Sequence, residues 1–183
     1  MTALPERLDG RLLRILAGVV MPGAVGLVPW LLVLAQAYPA FGGWIFRGDL
    51  LPNAALLGAV FCAGMFLENF GSQLEVLFDR HHGIEKEAWV RYLRQPQGEL
   101  VGHAYISSVV TRFKFELGMI FALPAAALAV AVLAFCQSAM PQVPAAFFIP
   151  TCLGAAAYLF LEARRTTQLL DQIRQSPGDP PAP

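Results

Sequence analysis

Long apolar stretches separated by short polar segments, with no sustained two-residue alternation, set the pattern of this chain. A helix that crosses the roughly 30 Å hydrocarbon core of a bilayer needs about 20 mainly apolar residues, because lipid offers its backbone no hydrogen-bond partners. Four stretches meet that requirement. The first runs from Ile15 to about Tyr38 and carries Pro22, Gly23, Gly26 and Pro29, which bend a membrane helix without ending it. The second opens after Pro52 and is uncharged as far as Leu67, the third covers Leu117 to Cys136 with Pro124 inside it, and the fourth runs from about Pro144 to Leu161 around Pro150.

Amphipathic periodicity continues where the apolar cores stop. Leu67, Phe70, Leu74, Leu77 and Phe78 recur at steps of three and four, as one face of an α-helix requires. Ile84 to Arg94 reads as a short helix with a Glu87–Arg91 pair one turn apart, and Gln95-Pro96-Gln97-Gly98 breaks it. Glu99 to Glu116 reads as a helical lead-in to the third span. The fourth continues through Leu169, Leu170 and Ile173, and 177–183, rich in proline, reads as a disordered tail. The expected fold is therefore all-α: a single polytopic domain over 1–176, with four transmembrane helices and a helical segment at about 79–116 outside the membrane.

Composition agrees with the pattern. Of 183 residues 56% are hydrophobic and 14% charged, against roughly 25% charged in soluble domains. Thirteen Lys and Arg balance thirteen Asp and Glu, so no net basic field points to nucleic acid. Cys62, Cys136 and Cys152 are odd in number, lie in apolar runs and form no C-x-x-C, which argues against a disulfide framework or zinc knuckle and leaves them as small packing residues. Arg7, Arg11 and Arg14 before the first apolar run resemble a signal-peptide start. That run, however, exceeds the 7–15 residues of a signal h-region, so it is expected to be kept as a membrane helix.

Charge also orients the chain. Arg7, Arg11 and Arg14 precede the first span; Arg80, Lys86, Arg91, Arg94, Arg112 and Lys114 lie between the second and third; Arg164, Arg165 and Arg174 follow the fourth. Arg47 alone falls on the other side. Because cations accumulate on cytoplasmic segments, both termini are expected inside, and Tyr38 and Trp44 on one side with Trp89 and Tyr92 on the other fit interfacial aromatic belts. The expected location is a bacterial inner membrane.

The candidate chemistry sits at the cytoplasmic end of the second span. Glu68, Ser72, Glu75 and Asp79 share one stripe of that helix, opposite its apolar face. Counting about 20 residues from Asn53 puts Glu68 roughly one turn inside the bilayer, where an ionisable group faces the bundle interior or water and needs a partner. The start of the antiparallel third helix offers Arg112, Lys114 and Glu116, so a charge network is expected, with Arg112 as principal partner of Glu75 or Glu68. Such a network can simply fix helix register, or it can make Glu68 the centre of an ion or proton pathway.

Two further candidates are weaker. Asp79 with His82 and Glu99 with His103 have spacings that place metal ligands on one helix face, but the Glu-x-x-His pairs of di-iron bundles are missing; solvated histidines are the simpler reading. Ala54, Gly58 and Cys62 in the second helix and Ala125 and Ala129 in the third resemble small-x-x-x-small packing faces, with Gly58 and Ala129 expected at close helix contacts. No G-x-S-x-G, H-E-x-x-H, P-loop or dinucleotide fingerprint occurs, and Ser107 and Ser108 lack an oriented base. The expected class is a non-enzymatic membrane subunit that anchors, senses or forms a pore, without cofactor, as a homo-oligomer or with a cytoplasmic protein partner. An ion pathway through Glu68, or a small membrane enzyme using the carboxylates and histidines, are the alternatives.

Overall fold

The computed structural model of the protein describes residues 15–81, 100–136 and 142–175, with side chains described at 15–16, 18–78, 108–135 and 144–168. These residues are almost entirely helical. A π-helical turn at Leu16–Val20 leads into α1 (Met21–Ala37), followed by α2 (Pro39–Ile45), α3 (Leu50–His81), α4 (Leu100–Ala131) with a closing π-turn at Val132–Cys136, and α5 (Gln142–Gln175). Four segments are long and apolar enough to cross a membrane: Gly18–Ala37, Leu50–Phe78, Ser108–Phe135 and Pro144–Gln168.

Local chemistry explains the boundaries. Pro22 has no N–H to return to the carbonyl four residues earlier, and the turn before it widens, with the Met21 N–H reaching the Leu16 carbonyl. Pro39 pushes Tyr38 out of helical geometry, to φ −130° and ψ 87°, which separates α1 from the short α2. That short helix was not evident from the apolar pattern. Gly48, at φ 78°, makes the turn into α3 in a region that disfavours other residues. Pro29, Pro124 and Pro150 all lie inside continuous helices, as expected.

The helices alternate in direction, and α4 is the hub. It packs against α1, α3 and α5. Helices α1 and α4 run parallel in a register set by small residues. A Cβ on Gly118 would stand 3.0 Å from Cγ of Pro22, and one on Gly26 3.6 Å from Cα of Ala122. Trp30 then donates its indole N–H to the Ala125 carbonyl at 3.1 Å, and Val33 packs with Ala129 and Leu133. Ala129 is fully buried there.

Helices α1 and α3 cross antiparallel and closer still. Each contributes a valine followed four residues later by a glycine. A Cβ on Gly64 would overlap the Val19 carbonyl oxygen, and one on Gly23 would overlap that of Val60. Only glycine lets two backbones approach this closely. Gly58 plays no part in this contact: nothing lies within 4 Å of where its Cβ would be, and Ala54 and Cys62 are exposed beside it. The expectation that Gly58 sits at a helix contact is thus corrected within the protomer. Val60 comes two residues later, about 200° around the helix, so the face that meets α1 is the opposite one.

Helix α5 lies along α4, with Ala145 and Ile149 against Val130 and Ala134. At its other end Ala163 joins Phe78, Phe113 and Leu117 in a cluster that brings α3, α4 and α5 together, with the Phe78 and Phe160 rings 5.5 Å apart. The alternating directions bring the start of α1, the end of α3, the start of α4 and the end of α5 to one end of the bundle. The candidate charges are all at that end.

Candidate functional site

Charged side chains at this end of the bundle form two sets of ion pairs on opposite flanks of α4. On one flank the Lys114 ammonium reaches Glu68 Oε1 of α3 at 3.1 Å. On the other, Arg112 bridges two carboxylates, with Nε 2.7 Å from Glu116 Oε1 and Nη2 2.7 Å from Glu162 Oε1 of α5. Arg165 stands 3.7 Å from the second oxygen of Glu162. The pairing differs from the expected one, in which Arg112 meets Glu75 or Glu68: Arg112 serves Glu116 and Glu162, while Glu68 belongs to Lys114. Helix geometry is the reason. Residues 112 and 114 are two apart and so point about 200° away from each other, and α4 cannot turn both cations toward α3. Glu75, partly buried on α3, is engaged as well.

The two flanks differ in environment. Glu116 is 2% exposed, and its Oε2 has no hydrogen-bond partner among the described residues. Thr166 of α5 is buried beside this carboxylate. A buried carboxylate with one free oxygen depends on the cation that holds the other. Glu68 and Lys114 have side chains 33% and 44% exposed, which makes theirs the more open pair. Between α3, α4 and the entry of α1 that pair stands at a cleft of about 280 Å³, whose other described lining residues are Ile15, Gly18, Val19, Val110 and Thr111. Its walls are mostly apolar, with Thr111 and the ion pair as the polar features.

His82 and Glu99 lie outside the described residues, as do the side chains of Asp79 and His103. Among the described residues no three histidine, cysteine or carboxylate groups gather closely enough to hold a metal ion. Cys152 is buried, in keeping with a packing role, whereas Cys62 is exposed.

Glu162 is the network member that sequence reasoning missed. A signal was present, since Glu162 and Arg165 are one turn apart directly after Leu161, where the fourth apolar stretch was taken to end. Reading the span through to Gln168 would have placed this Glu-x-x-Arg pair level with Arg112. Thr167 shows the same inward turn: it is buried and bonds its hydroxyl to the Ala163 carbonyl at 2.9 Å.

Comparison with family models, with curated proteins and with solved structures found no match. The class of the protein therefore rests on its own architecture: its described residues are nearly all helical, four of the helices are long and apolar enough to cross a membrane, as in a multi-pass membrane protein, and paired charges stand at one end of the bundle.

Proposed function

We propose that the protein is a non-enzymatic integral membrane subunit, an anchoring component that works in a homo-oligomer or with a protein partner. The observation that carries this reading is the use of the charges. Lys114 to Glu68 ties α4 to α3, and Arg112 to Glu162 ties α4 to α5, so the costly polar groups act as cross-links that fix helix register. Helix α5 supports association. Away from the charged end it packs, among the described residues, on α4 and its closing π-turn, and Phe147, Leu153 and Tyr158 are exposed on it.

A second reading, an ion or proton pathway through Glu68, is favoured by the cleft against which the Glu68–Lys114 pair is only partly shielded. Purified protein in liposomes separates the two. The anchoring role predicts no proton or cation flux above that of empty vesicles, together with a stable oligomer or a co-purifying partner. A flux that disappears in Glu68→Gln would transfer the function to the pathway. Stoichiometric iron or zinc on the purified protein would instead favour the enzyme alternative.

The orientation belongs to the same proposal. With both termini and the charged bundle end in the cytoplasm of a bacterial-type inner membrane, reporters fused after Pro183 or within Gln95 to Gly98 should signal cytoplasm. Those near Gly43 and Gln142 should signal the far side. A far-side reporter after Pro183 would reverse the arrangement.

A further inference from the structure

The cleft beside Lys114 and Glu68 is built in a way that register alone does not explain. Gly18 is buried, yet among the described residues no atom lies within 4 Å of where its Cβ would stand, and it lines the cleft. It belongs to the π-turn Leu16–Val20, an irregularity of the kind that collects at functional positions in helices. Val19 and Val110 supply apolar wall, and at 280 Å³ the space lies just under the roughly 300 Å³ at which small-molecule pockets begin. It suits a headgroup and the first methylenes of a chain, with the remainder lying along the outer helix faces.

The ion pair defines what that headgroup must be. Lys114 can donate three hydrogen bonds and gives one to Glu68 at 3.1 Å; the Glu68 carboxylate can accept more than the one it receives. The site thus presents a cation and an anion side by side, partly open, at the polar end of the spans. A purely anionic headgroup would meet repulsion from Glu68. A zwitterion satisfies both charges, and a primary ammonium can hydrogen-bond to the carboxylate where a trimethylammonium cannot.

We propose that this cleft binds one zwitterionic phospholipid with a primary-amine headgroup, its phosphate on Lys114 and its ammonium on Glu68. The proposal rests on the membrane reading of the four spans and is independent of whether the subunit anchors or conducts. In the test, delipidated full-length protein is titrated in mild detergent with phosphatidylethanolamine, phosphatidylcholine or phosphatidylglycerol. Thermal unfolding and native mass spectrometry follow binding.

The expected result is one phosphatidylethanolamine per protomer, a rise in melting temperature, and a preference over phosphatidylcholine on the order of tenfold. Gly18→Leu should fill the slot and remove the bound lipid while leaving the lipid-free melting temperature unchanged or higher. Should that variant fail to fold, Glu68→Gln with Lys114→Gln keeps an uncharged hydrogen-bonding pair and should erase the discrimination between the lipids. Equal stabilisation of the parent by all three lipids, a preference for phosphatidylglycerol, phosphatidylethanolamine still bound in Gly18→Leu, or its preference still present in the double variant overturns the proposal. So does the absence of lipid binding together with a loss of stability in Gly18→Leu, which would mean that the chain itself fills the cleft.

Discussion

Gly64→Leu should leave little or no monodisperse protein after extraction, whereas Gly58→Leu, on the same helix, should behave like the parent. At Gly64 even a methyl group would overlap the Val19 carbonyl oxygen and lie 2.7 Å from its carbon, and both belong to helix backbone that cannot swing aside as a side chain does. Overpacking in a core costs about 1 to 3 kcal/mol when side chains give way. Here α1 and α3 must separate, and the reciprocal contact of Gly23 with Val60 is lost with them. Because lipid tails are as apolar as the helix faces, close van der Waals packing is a main source of helix association in membranes. Moving these backbones apart removes it over the whole crossing. Yield, size-exclusion profile and melting temperature of the two variants in one detergent decide the matter. Equal damage at both positions, or none at Gly64, would mean that α1 and α3 do not cross at these glycines.

Arg112→Ala should be the most destabilising of the charge changes. Arg112 is held by two carboxylates at 2.7 Å, and one of them, Glu116, is almost wholly buried with an oxygen that has no partner among the described residues. Removing one member of a buried pair strands the other charge and typically costs about 3 to 5 kcal/mol, while an exposed pair is worth about 0 to 1. The guanidinium itself is 61% exposed and its partner Glu116 3%, so the cost comes from the carboxylate left behind. Adding Glu116→Gln to Arg112→Ala should therefore recover part of the loss. Lys114→Ala, which removes a cation from the more open pair with Glu68, should cost distinctly less. Thermal unfolding of the single and double variants gives the coupling. Similar small effects for Arg112→Ala and Lys114→Ala, with no recovery in the double variant, would show that Glu116 is solvated and that the pairs do not hold the helices in register.

The sequence by itself determined the class of fold. Four apolar stretches of bilayer length, tolerant of the prolines inside them, and helical periodicity running past their ends were enough to place α1, α3, α4 and α5, because in lipid the backbone can satisfy itself only within a helix. The presence of a charge network was legible for a similar reason: Glu68, Arg112 and Glu116 lie so close to apolar runs that they need partners. Which partners they take was decided by the tertiary structure. Periodicity places a residue on its own helix face but is silent about which neighbour that face meets, and the 200° between Arg112 and Lys114 becomes informative only once α3 and α5 are known to flank α4. The same limit explains Gly58 and Gly64. Both are glycines in an apolar helix, and spacing alone favoured the one followed four residues later by Cys62. What separates them is the rotation of α3 about its axis, which α1 settles by allowing close contact only where a glycine of one helix meets the valine backbone of the other, Gly64 on Val19 and Gly23 on Val60. The cleft at Lys114 was equally invisible, since it arises from three helices and a π-turn whose distance from one another no single stretch of chain encodes.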